Sequence, residues 1–266
     1  MPSIPVFMYH HVAPNPGDMI TVTPEVFDGQ MAALQEGGYK TLSLDETAAF
    51  IAGTFTPKEK CCVITFDDGY LDNYIHAWPV LKKYGIRAAI FLVTGWVDRA
   101  TETAEKSHAT QTNCPNHAET KRLITNGEYG KVIMTWPMAR QMQDESNGLV
   151  EFHSHTADHC DCATTPPDEL LKSLTVSKAA VERELGRPCN HLCWPKGRYN
   201  QKAVELADVA GYMTVCTTRR GATRPGSDPL FIPRIAVKKD AAWLRKQLYI
   251  NTNPLMARIY AILRNY

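Results

Sequence analysis

Short apolar segments alternate with amphipathic segments along most of the chain, and this alternation limits the folds open to it. The apolar segments are often β-branched and bounded by turn residues, so we predict them as strands. They lie at 4–9, 61–66, 87–93, 148–153, 190–194, 212–217 and 230–237. Strands that alternate with helices favour an α/β domain with a largely parallel sheet.

The amphipathic segments carry residues that typically start and stop helices. One predicted helix begins at the N-cap candidate Thr23, has Pro24 at its first position and stops at Gly37. Further helices are predicted at 71–85, 166–186 and 200–211. Because the strand segments include no Gly-rich dinucleotide fingerprint, we predict a barrel-like closure of the sheet rather than an open Rossmann sheet.

We predict a single domain of residues 1–266, and two of its regions depart from the alternation of strands and helices. Residues 98–132 are polar and predicted to be irregular, either as a lid on the substrate side or as a mobile surface insertion. Residues 240–266 are predicted to form a helical, amphipathic tail. We expect the tail to pack against the domain, with peripheral contact to a membrane surface or a partner as the alternative.

The charge balance argues against one large class of partners. The chain has 29 Lys and Arg residues and 28 Asp and Glu residues, whereas proteins that bind nucleic acid carry a clustered basic excess. No apolar segment is long enough to span a bilayer, and the first residues lack signal-peptide features. With eight cysteines expected as reduced thiols, we predict a cytoplasmic protein, with association to the inner membrane surface as the alternative.

Residues capable of chemistry follow several of the predicted strands. Parallel α/β sheets gather their sites at the carboxyl ends of the strands, so these residues are expected to converge. They are His10, His11, Asp67, Asp68, His153, His155, His159, Trp194 and Pro195. The alternative interpretation is that the aspartates are turn acids, the histidines bond to backbone and the Trp194 segment is a simple loop.

The histidines at 155 and 159 indicate a metal site. Four residues apart, His155 and His159 can face one point, and two imidazoles with one carboxylate suit Zn²⁺, Co²⁺, Ni²⁺ or Fe²⁺ better than Mg²⁺ or Ca²⁺. We expect His153 to point to the opposite side. One of the aspartates Asp67 and Asp68 would ligate the cation, leaving the other to accept a proton from water.

The cysteines offer a competing metal site. Cys160, Cys162, Cys189 and Cys193 are close enough in sequence to suggest a structural zinc site. Their spacing differs from the usual paired arrangement of zinc ligands, so we expect buried free thiols instead.

Three short motifs give the chain a family resemblance. "TFDDGY" and "HSHTADH" match the first two motifs of the polysaccharide deacetylase superfamily, the NodB-homology group of carbohydrate esterases, and "WPKGRYN" resembles the third. The segments "FMYHHV" and "TPEVFDGQMAALQEGGYKTLSLDE" resemble the branch that deacetylates poly-N-acetylglucosamine. The resemblance covers most of residues 4–240 apart from 98–132, and it implies a distorted (β/α) barrel of about seven parallel strands.

The resemblance assigns roles to the reactive residues. It implies that Asp67 is the general base, and that Asp68, His155 and His159 hold a divalent metal, usually Zn²⁺. It further implies that His10 is the acid that protonates the leaving amine, with His11 as the nearest rival. Adjacent strand residues face opposite ways, so only one of these two histidines should reach the site.

The resemblance also implies that the third motif contacts the substrate. A backbone N–H of the loop containing Lys196 and Gly197 would stabilise the oxyanion, with Trp194 and Tyr199 as further substrate-side candidates. The motif departs from the family pattern, because Lys196 replaces the usual aromatic and no arginine precedes its proline. Arg234, near the end of another strand, is our candidate for the missing arginine that orients the base.

These residues together predict a hydrolase. The leading hypothesis is a metal-dependent N-deacetylase that acts on an amino sugar in a polysaccharide, a lipid-linked saccharide or a lipopolysaccharide precursor of cell-envelope biosynthesis. One alternative is hydrolysis of another C–N amide bond by a deformylase or amidase on the same scaffold. Another is a non-catalytic carbohydrate-binding module, against which the combination of base, ligands and acid argues.

Overall fold

The structure, a computed structural model, describes residues 3–15, 18–106, 114–253 and 256. Its strands are β1 (Ile4–Tyr9), β2 (His11–Val12), β3 (Thr21–Val22), β4 (Tyr39–Thr41), β5 (Lys60–Phe66), β6 (Ala88–Leu92), β7 (Val150–Ser154), β8 (His191–Cys193), β9 (Thr214–Cys216), β10 (Ala222–Thr223) and β11 (Ile235–Ala236). Its α-helices are α1 (Pro24–Glu36), α2 (Leu44–Ile51), α3 (Trp78–Tyr84), α4 (Thr94–Lys106), α5 (His117–Thr125), α6 (Trp136–Glu145), α7 (Pro167–Leu185), α8 (Gln201–Val209) and α9 (Ala241–Thr252).

The main sheet is parallel and curled. Apart from the short β4, which pairs in parallel with the start of β5, its strands lie in the order β1, β5, β6, β7, β8 and β9, with β11 parallel to β1 on the other side and the short β10 antiparallel to β1. The segment before β11 approaches the far edge, because the Ile232 N–H donates to the Val215 carbonyl oxygen of β9 at 2.9 Å. Seven parallel strands thus form a distorted barrel, which confirms the predicted fold class.

Apolar side chains pack on both faces of this sheet. Along β5, Ile64 and Phe66 pack under the surrounding helices, whereas Cys61 and Val63 face the barrel interior with Phe50 of α2. This alternation follows the two-residue period of a strand, and burying each large apolar side chain contributes roughly 1.5–3 kcal/mol. Helix α2 therefore closes the amino-terminal end of the barrel and leaves the carboxyl end to the loops.

The predicted strands match the observed ones except for the last. In place of one strand at 230–237, a 3₁₀ turn at Pro229–Phe231 precedes the two-residue β11. Pro229 and Pro233 have no N–H to donate to a ladder, which explains the interruption. The helix predicted at 71–85 forms as a π-helical turn at Asn73–Ala77 followed by α3.

The prediction of irregular chain at 98–132 is wrong for the residues that the structure describes there. Helix α4 covers its start, and α5 is capped by Asn116, whose side chain accepts from the Glu119 N–H at 3.0 Å. Both helices are polar on average, and their buried residues, which include Val97 and Leu123, are few but lie at helical spacing, so the polar composition rather than a missing helical period misled the prediction. Residues 107–113 of this segment lie outside the described residues.

The predicted helical tail begins with α9, whose N-cap Asp240 accepts from the Trp243 N–H at 2.9 Å. Leu244 and Leu248 of α9 are buried against the domain core. Residues 254–255 and 257–266 of the tail lie outside the described residues. Across the described ranges, no helix combines the length and apolar character needed to cross a bilayer.

Candidate active site

The two adjacent aspartates leave the end of β5 in different directions. The Asp67 N–H still donates to the Tyr9 carbonyl oxygen of β1 at 3.0 Å, whereas Asp68 adopts a left-handed φ of 74°. Gly69 also has a left-handed φ, and a Cβ there would lie 2.7 Å from the Leu92 side chain. Because the backbone turns sharply here, the two carboxylates reach different partners.

Asp68 meets two imidazoles that follow β7. Its Oδ1 lies 3.3 Å from His155 Nε2 and 3.3 Å from His159 Nε2, and the three ligand atoms lie within 4.8 Å of one another. Asp68 Oδ1 is buried and has no hydrogen-bond partner among the described residues. A buried carboxylate oxygen without a donor costs free energy, so converging ligand atoms in this state fit a divalent cation. We call these three residues the metal triad.

The histidines of the metal triad are held by the backbone around them. His155 Nδ1 hydrogen-bonds the Cys193 carbonyl oxygen at 2.8 Å, which leaves Nε2 to face Asp68. His159 has a left-handed φ of 56°, its N–H donates to Thr156 Oγ1 at 3.1 Å, and its ring lies 5.1 Å from that of Trp96. The orientation of the His155 ring is therefore set before any cation binds, whereas the His159 ring is placed by its backbone conformation and by contact with Trp96.

The electrostatics of the metal triad favour charged forms. Burial by itself would raise the pKa of Asp68, but the two imidazoles lower it well below its usual value. For His155, burial acts to lower the pKa, and the carboxylates Asp68 and Asp67 outweigh burial and raise it. The Asp68 carboxylate is thus ionised, and a proton bound to His155 competes with a cation for that imidazole.

Asp67 pairs with a buried arginine from the segment before β11. Arg234 Nη1 and Nη2 donate to Asp67 Oδ1 and Oδ2 at 2.7 and 2.8 Å, and Arg234 Nε donates to the Thr217 carbonyl oxygen at 3.0 Å. Burial by itself would raise the pKa of Asp67, but the guanidinium lowers it below its usual value. The bidentate pair fixes the carboxylate in its ionised form. The structure thus brings Arg234 to the side chain that the sequence suggested it would orient.

The two neighbouring histidines after β1 point to different places. His10 lines the same cavity as both aspartates, and its Nε2 lies 3.8 Å from Asp67 Oδ2. Burial lowers the pKa of His10. His11 is buried and its Nδ1 lies 2.6 Å from Asp72 Oδ2. Only His10 is therefore positioned to act beside Asp67.

The third motif forms another wall of the cavity. Trp194, Lys196 and Gly197 line it, whereas Tyr199 stacks on Trp194 at 5.6 Å and is not among the cavity-lining residues of the described chain. Gly197 has a left-handed φ of 63°, and a Cβ there would lie 2.1 Å from Thr218 Oγ1, so the position requires glycine.

The cavity has a volume of about 470 Å³ and includes residues that the sequence interpretation missed. These are Ile20, Tyr70, Trp96, His117, Lys121, Ile124, Thr125 and Thr218. Four of them belong to α5, inside the segment predicted as irregular. The prediction of a lid placed this segment on the substrate side, but its polar composition singled out none of these residues.

One expectation about other ligands, that the cysteines are free thiols, is confirmed, and another needs correction. The four sulfur atoms of the suggested cysteine site do not form one of the metal-competent groups found in the described chain, and all eight cysteines are free thiols. His153 does not point to the side opposite His155. His153 lies on β7 and His155 directly follows that strand, so the two, two residues apart, share the interior face, and His153 lies deeper, with its ring 6.3 Å from that of Phe91.

A second group of potential ligands, Asp67, His155 and Cys193, lies within the same distance limit. Arg234 Nη2 is already 2.8 Å from both Asp67 Oδ2 and Cys193 Sγ. A guanidinium at that point repels a cation, so the metal triad is the better site.

Comparison with known proteins agrees with this arrangement. The model of the polysaccharide deacetylase family matches residues 55–215, more than half of the chain, and this span contains the metal triad and Asp67. The chain belongs to the polysaccharide deacetylase family. It is therefore assigned to the carbohydrate deacetylases, as the sequence motifs predicted.

Individual members of the family cover most of the chain. YxkH of Bacillus subtilis (strain 168), named as a polysaccharide deacetylase, is 28% identical over 234 residues, which are 88% of this chain and 71% of that protein. The poly-beta-1,6-N-acetyl-D-glucosamine N-deacetylase of Staphylococcus aureus (strain MRSA252) is 25% identical over 232 residues, which are 83% of this chain and 69% of that protein.

Solved structures share the barrel. The Streptococcus pyogenes deacetylase PplD, solved in complex with acetate, has a TM-score of 0.76 at 24% identity and covers 96% of this chain and 100% of that chain. IcaB from Ammonifex degensii has a TM-score of 0.72 at 24% identity and covers 92% of this chain and 98% of that chain. At these identities the likeness shows the fold of this polysaccharide deacetylase.

Proposed function

We propose that this chain is a divalent-metal-dependent N-deacetylase that removes the acetyl group from an N-acetylated amino sugar of a polysaccharide. The observation that carries the proposal is the metal triad beside the Asp67–Arg234 pair in one cavity. The similarity to a poly-beta-1,6-N-acetyl-D-glucosamine N-deacetylase supports this substrate class.

Asp68, His155 and His159 are the proposed ligands of the cation. The mixed nitrogen and oxygen donor set favours Zn²⁺, with Co²⁺, Ni²⁺ or Fe²⁺ as alternatives. When bound, the cation supplies Lewis acidity, which acidifies water and polarises the amide carbonyl. The Cys193 carbonyl oxygen keeps His155 in the tautomer that presents Nε2 to the site.

Asp67 is the proposed general base. Arg234 holds its carboxylate ionised and oriented, and Oδ1, which accepts from Arg234 Nη1, keeps a lone pair that can accept a proton from the attacking water. Arg234 thus acts as a positioning residue, with Thr65 Oγ1 accepting from its Nη1 at 3.1 Å.

The third motif and His10 are proposed to act on the other side of the amide. In the loop Pro195–Gly197, Pro195 has no N–H and the Gly197 N–H donates to the Trp194 carbonyl oxygen at 3.0 Å. The Lys196 N–H has no acceptor outside its own turn in the part of the chain described here, so it is our candidate oxyanion donor. His10, once protonated, would donate its proton to the departing amine.

The decisive experiment compares the adjacent aspartates. Metal content and acetate release from a β-1,6-linked N-acetylglucosamine oligosaccharide are measured for the wild type, Asp67→Asn and Asp68→Asn. We expect Asp67→Asn to keep the metal and lose about 10²–10⁴-fold in kcat, as loss of a general base does, and Asp68→Asn to lose both metal and activity. His10→Ala should lower kcat and leave metal content unchanged.

Two outcomes would contradict the proposal. Stoichiometric metal without acetate release from any amino sugar would favour a deformylase or another amidase on the same scaffold. Absence of metal under conditions that keep the histidines neutral would favour a non-catalytic carbohydrate-binding module. The carrier of the sugar, the lipopolysaccharide precursor included, and the cellular location remain predictions from the sequence.

A further inference from the structure

A buried Asp–His pair lies beside the cavity and has no role in the mechanism above. Asp72 Oδ2 lies 2.6 Å from His11 Nδ1, and Asp72 Oδ1 accepts from the Val12 N–H at 3.1 Å and from Asn73 Nδ2 at 2.8 Å. His11 is 1% exposed and Asp72 is 4% exposed. This carboxylate is fully hydrogen-bonded and acts as the fixed end of a chain of polar groups.

The chain continues to the cavity through a second imidazole. His11 Nε2 lies 3.1 Å from Nδ1 of His117, the first residue of α5, and the His11 ring stacks on Tyr70 with the centroids 3.8 Å apart. His117 and Tyr70 both line the cavity. The order Asp72, His11, His117 therefore runs from a buried carboxylate to the substrate side.

The positions of the protons follow from this order. Asp72 Oδ2 accepts the proton of His11 Nδ1, and in the tautomer that this contact selects, His11 Nε2 is an acceptor. His117 Nδ1 must then donate, so the remaining nitrogen of a neutral His117, Nε2, is an acceptor. Burial, with smaller contributions from His11 and Lys121, lowers the pKa of His117, which favours the neutral form.

We propose that His117 is a substrate-binding residue whose Nε2 accepts a hydrogen bond from a hydroxyl group of the saccharide, and that Asp72 and His11 position it. The inference rests on the proposed function, since it assigns a hydroxyl-bearing ligand to the same cavity. Lys121, four residues further along α5, also lines the cavity. Helix α5 thus offers the saccharide an acceptor and a donor on one face.

The test uses two substitutions, each of which places a polar group near one nitrogen of the imidazole and removes the other nitrogen. Asn at position 117 places an amide near Nδ1 and so preserves the contact with His11 but removes the cavity atom. Gln places its amide near Nε2 and so restores the cavity atom but breaks the contact with His11. A binding role and a merely structural role therefore predict opposite orders for His117→Asn and His117→Gln.

The readouts are KM and kcat for acetate release from a β-1,6-linked N-acetylglucosamine oligosaccharide, metal content and Tm. We expect His117→Asn to raise KM about fivefold to tenfold, the effect of one neutral hydrogen bond, with kcat and metal content close to wild type. His117→Gln should recover most of the wild-type KM. The inference would be overturned if His117→Asn kept the wild-type KM while only His117→Gln had a lower Tm or a higher KM.

A binding measurement separates this inference from the proposed function. Trp194 and Trp96 line the cavity, so their fluorescence can report oligosaccharide binding to the three proteins without turnover. Failure of the wild type to release acetate would refute the proposed function, while the order of the three dissociation constants would still decide the role of His117. No binding of the oligosaccharide by the wild type, or tighter binding by His117→Asn than by His117→Gln, would overturn the inference.

Discussion

The interior of the barrel holds carboxylates and imidazoles at both of its ends, and only one end is a candidate active site. At the carboxyl end of the strands lies the metal triad. At the amino-terminal end lies a second group of the same residue types, which we call the floor cluster; it consists of Asp45, Glu151, His153 and His191. Composition does not distinguish these two clusters.

Access distinguishes the two clusters, and hydrogen bonding does so for every member of the floor cluster except His153. In the floor cluster, Glu151 Oε1 accepts from the Leu44 N–H of α2 at 2.8 Å, and His191 hydrogen-bonds Thr214 Oγ1 at 2.8 Å and Asp45 Oδ1 at 3.1 Å. Helix α2 covers this end. In the metal triad, by contrast, a buried carboxylate oxygen lacks a hydrogen-bond donor among the described residues and faces a cavity. A site is recognised here by ligand atoms that the chain itself leaves unused and that a ligand can reach.

The sharpest test of this contrast uses two histidines of the same strand segment. His155→Ala should lower activity by at least about 10³-fold and abolish stoichiometric metal binding, because a bound cation supplies several kcal/mol of transition-state stabilisation. His153→Leu, two residues earlier on the same face, should keep metal content and change kcat less than about twofold by the same reasoning. Metal analysis and kcat/KM check both variants. Loss of metal in His153→Leu would show that the two ends are coupled.

The next largest effect concerns the buried charge pair behind the metal triad. Arg234→Met should lower the free energy of unfolding by about 3–5 kcal/mol, because it leaves the ionised Asp67 buried without its partner. Arg140→Met is the matched control at the half-exposed Arg140–Glu184 pair and should cost about 1 kcal/mol or less. Urea unfolding of the metal-free proteins provides the comparison. Equal losses in the two variants would mean that solvent reaches Asp67.

The strand ends of the site were predictable from the sequence because their signals are local. Asp67, Asp68 and His155 each lie at or just after the end of a short apolar segment, so parallel pairing alone brings Asp68 and His155 to one edge. The pairing of Arg234 with Asp67 was suggested only by a missing arginine in the third motif. It needs the chain to return to β1 through β11 after leaving β9, and no local pattern encodes that return.

The wall contributed by α5 and the floor cluster could not be predicted for different reasons. Helix α5 buries little beyond Thr120 and Leu123, and although these two lie at helical spacing, the polar composition of the segment favours a surface loop over a buried helix. The cover of the floor cluster, α2, does carry a local signal, the capping box of Ser43 and Glu46. That signal predicts a helix but does not say that the helix enters the barrel.

The pH dependence of stability should have opposite signs at the two ends. The folded-state pKa of His155 is raised, so its contribution is present below the unfolded value of about 6.5 and is lost as pH rises through the folded pKa. Burial lowers the pKa of His191, so the floor cluster gains stability as pH rises toward the unfolded value. A folded-state pKa that differs by one from the unfolded value is equivalent to about 1.4 kcal/mol of stability.

Thermal unfolding from pH 5 to 8 isolates these contributions. With chelator present, the Tm difference between wild type and His155→Ala should fall as pH rises. With a saturating divalent cation it should grow, because the cation binds neutral imidazole. A difference that does not depend on pH in chelator would show that Asp68 and His155 do not interact in the metal-free protein.

The smallest effect is expected in the floor cluster itself. His153 is 5% exposed, neither of its ring nitrogens has a hydrogen-bond partner in the described chain, and its Nε2 lies 3.8 Å from Glu151 Oε2. Replacing a buried polar ring that makes no hydrogen bond by an apolar side chain removes a desolvation cost, so His153→Leu should change the free energy of unfolding by about 1 kcal/mol or less, in either direction. His191→Leu, which breaks hydrogen bonds to Thr214 and Asp45, should cost about 1–3 kcal/mol and serves as the comparison. If the two variants were equally destabilised, His153 would have to be hydrogen-bonded in solution. Of the two clusters, only the metal triad would then contain a buried polar atom without a hydrogen-bond partner.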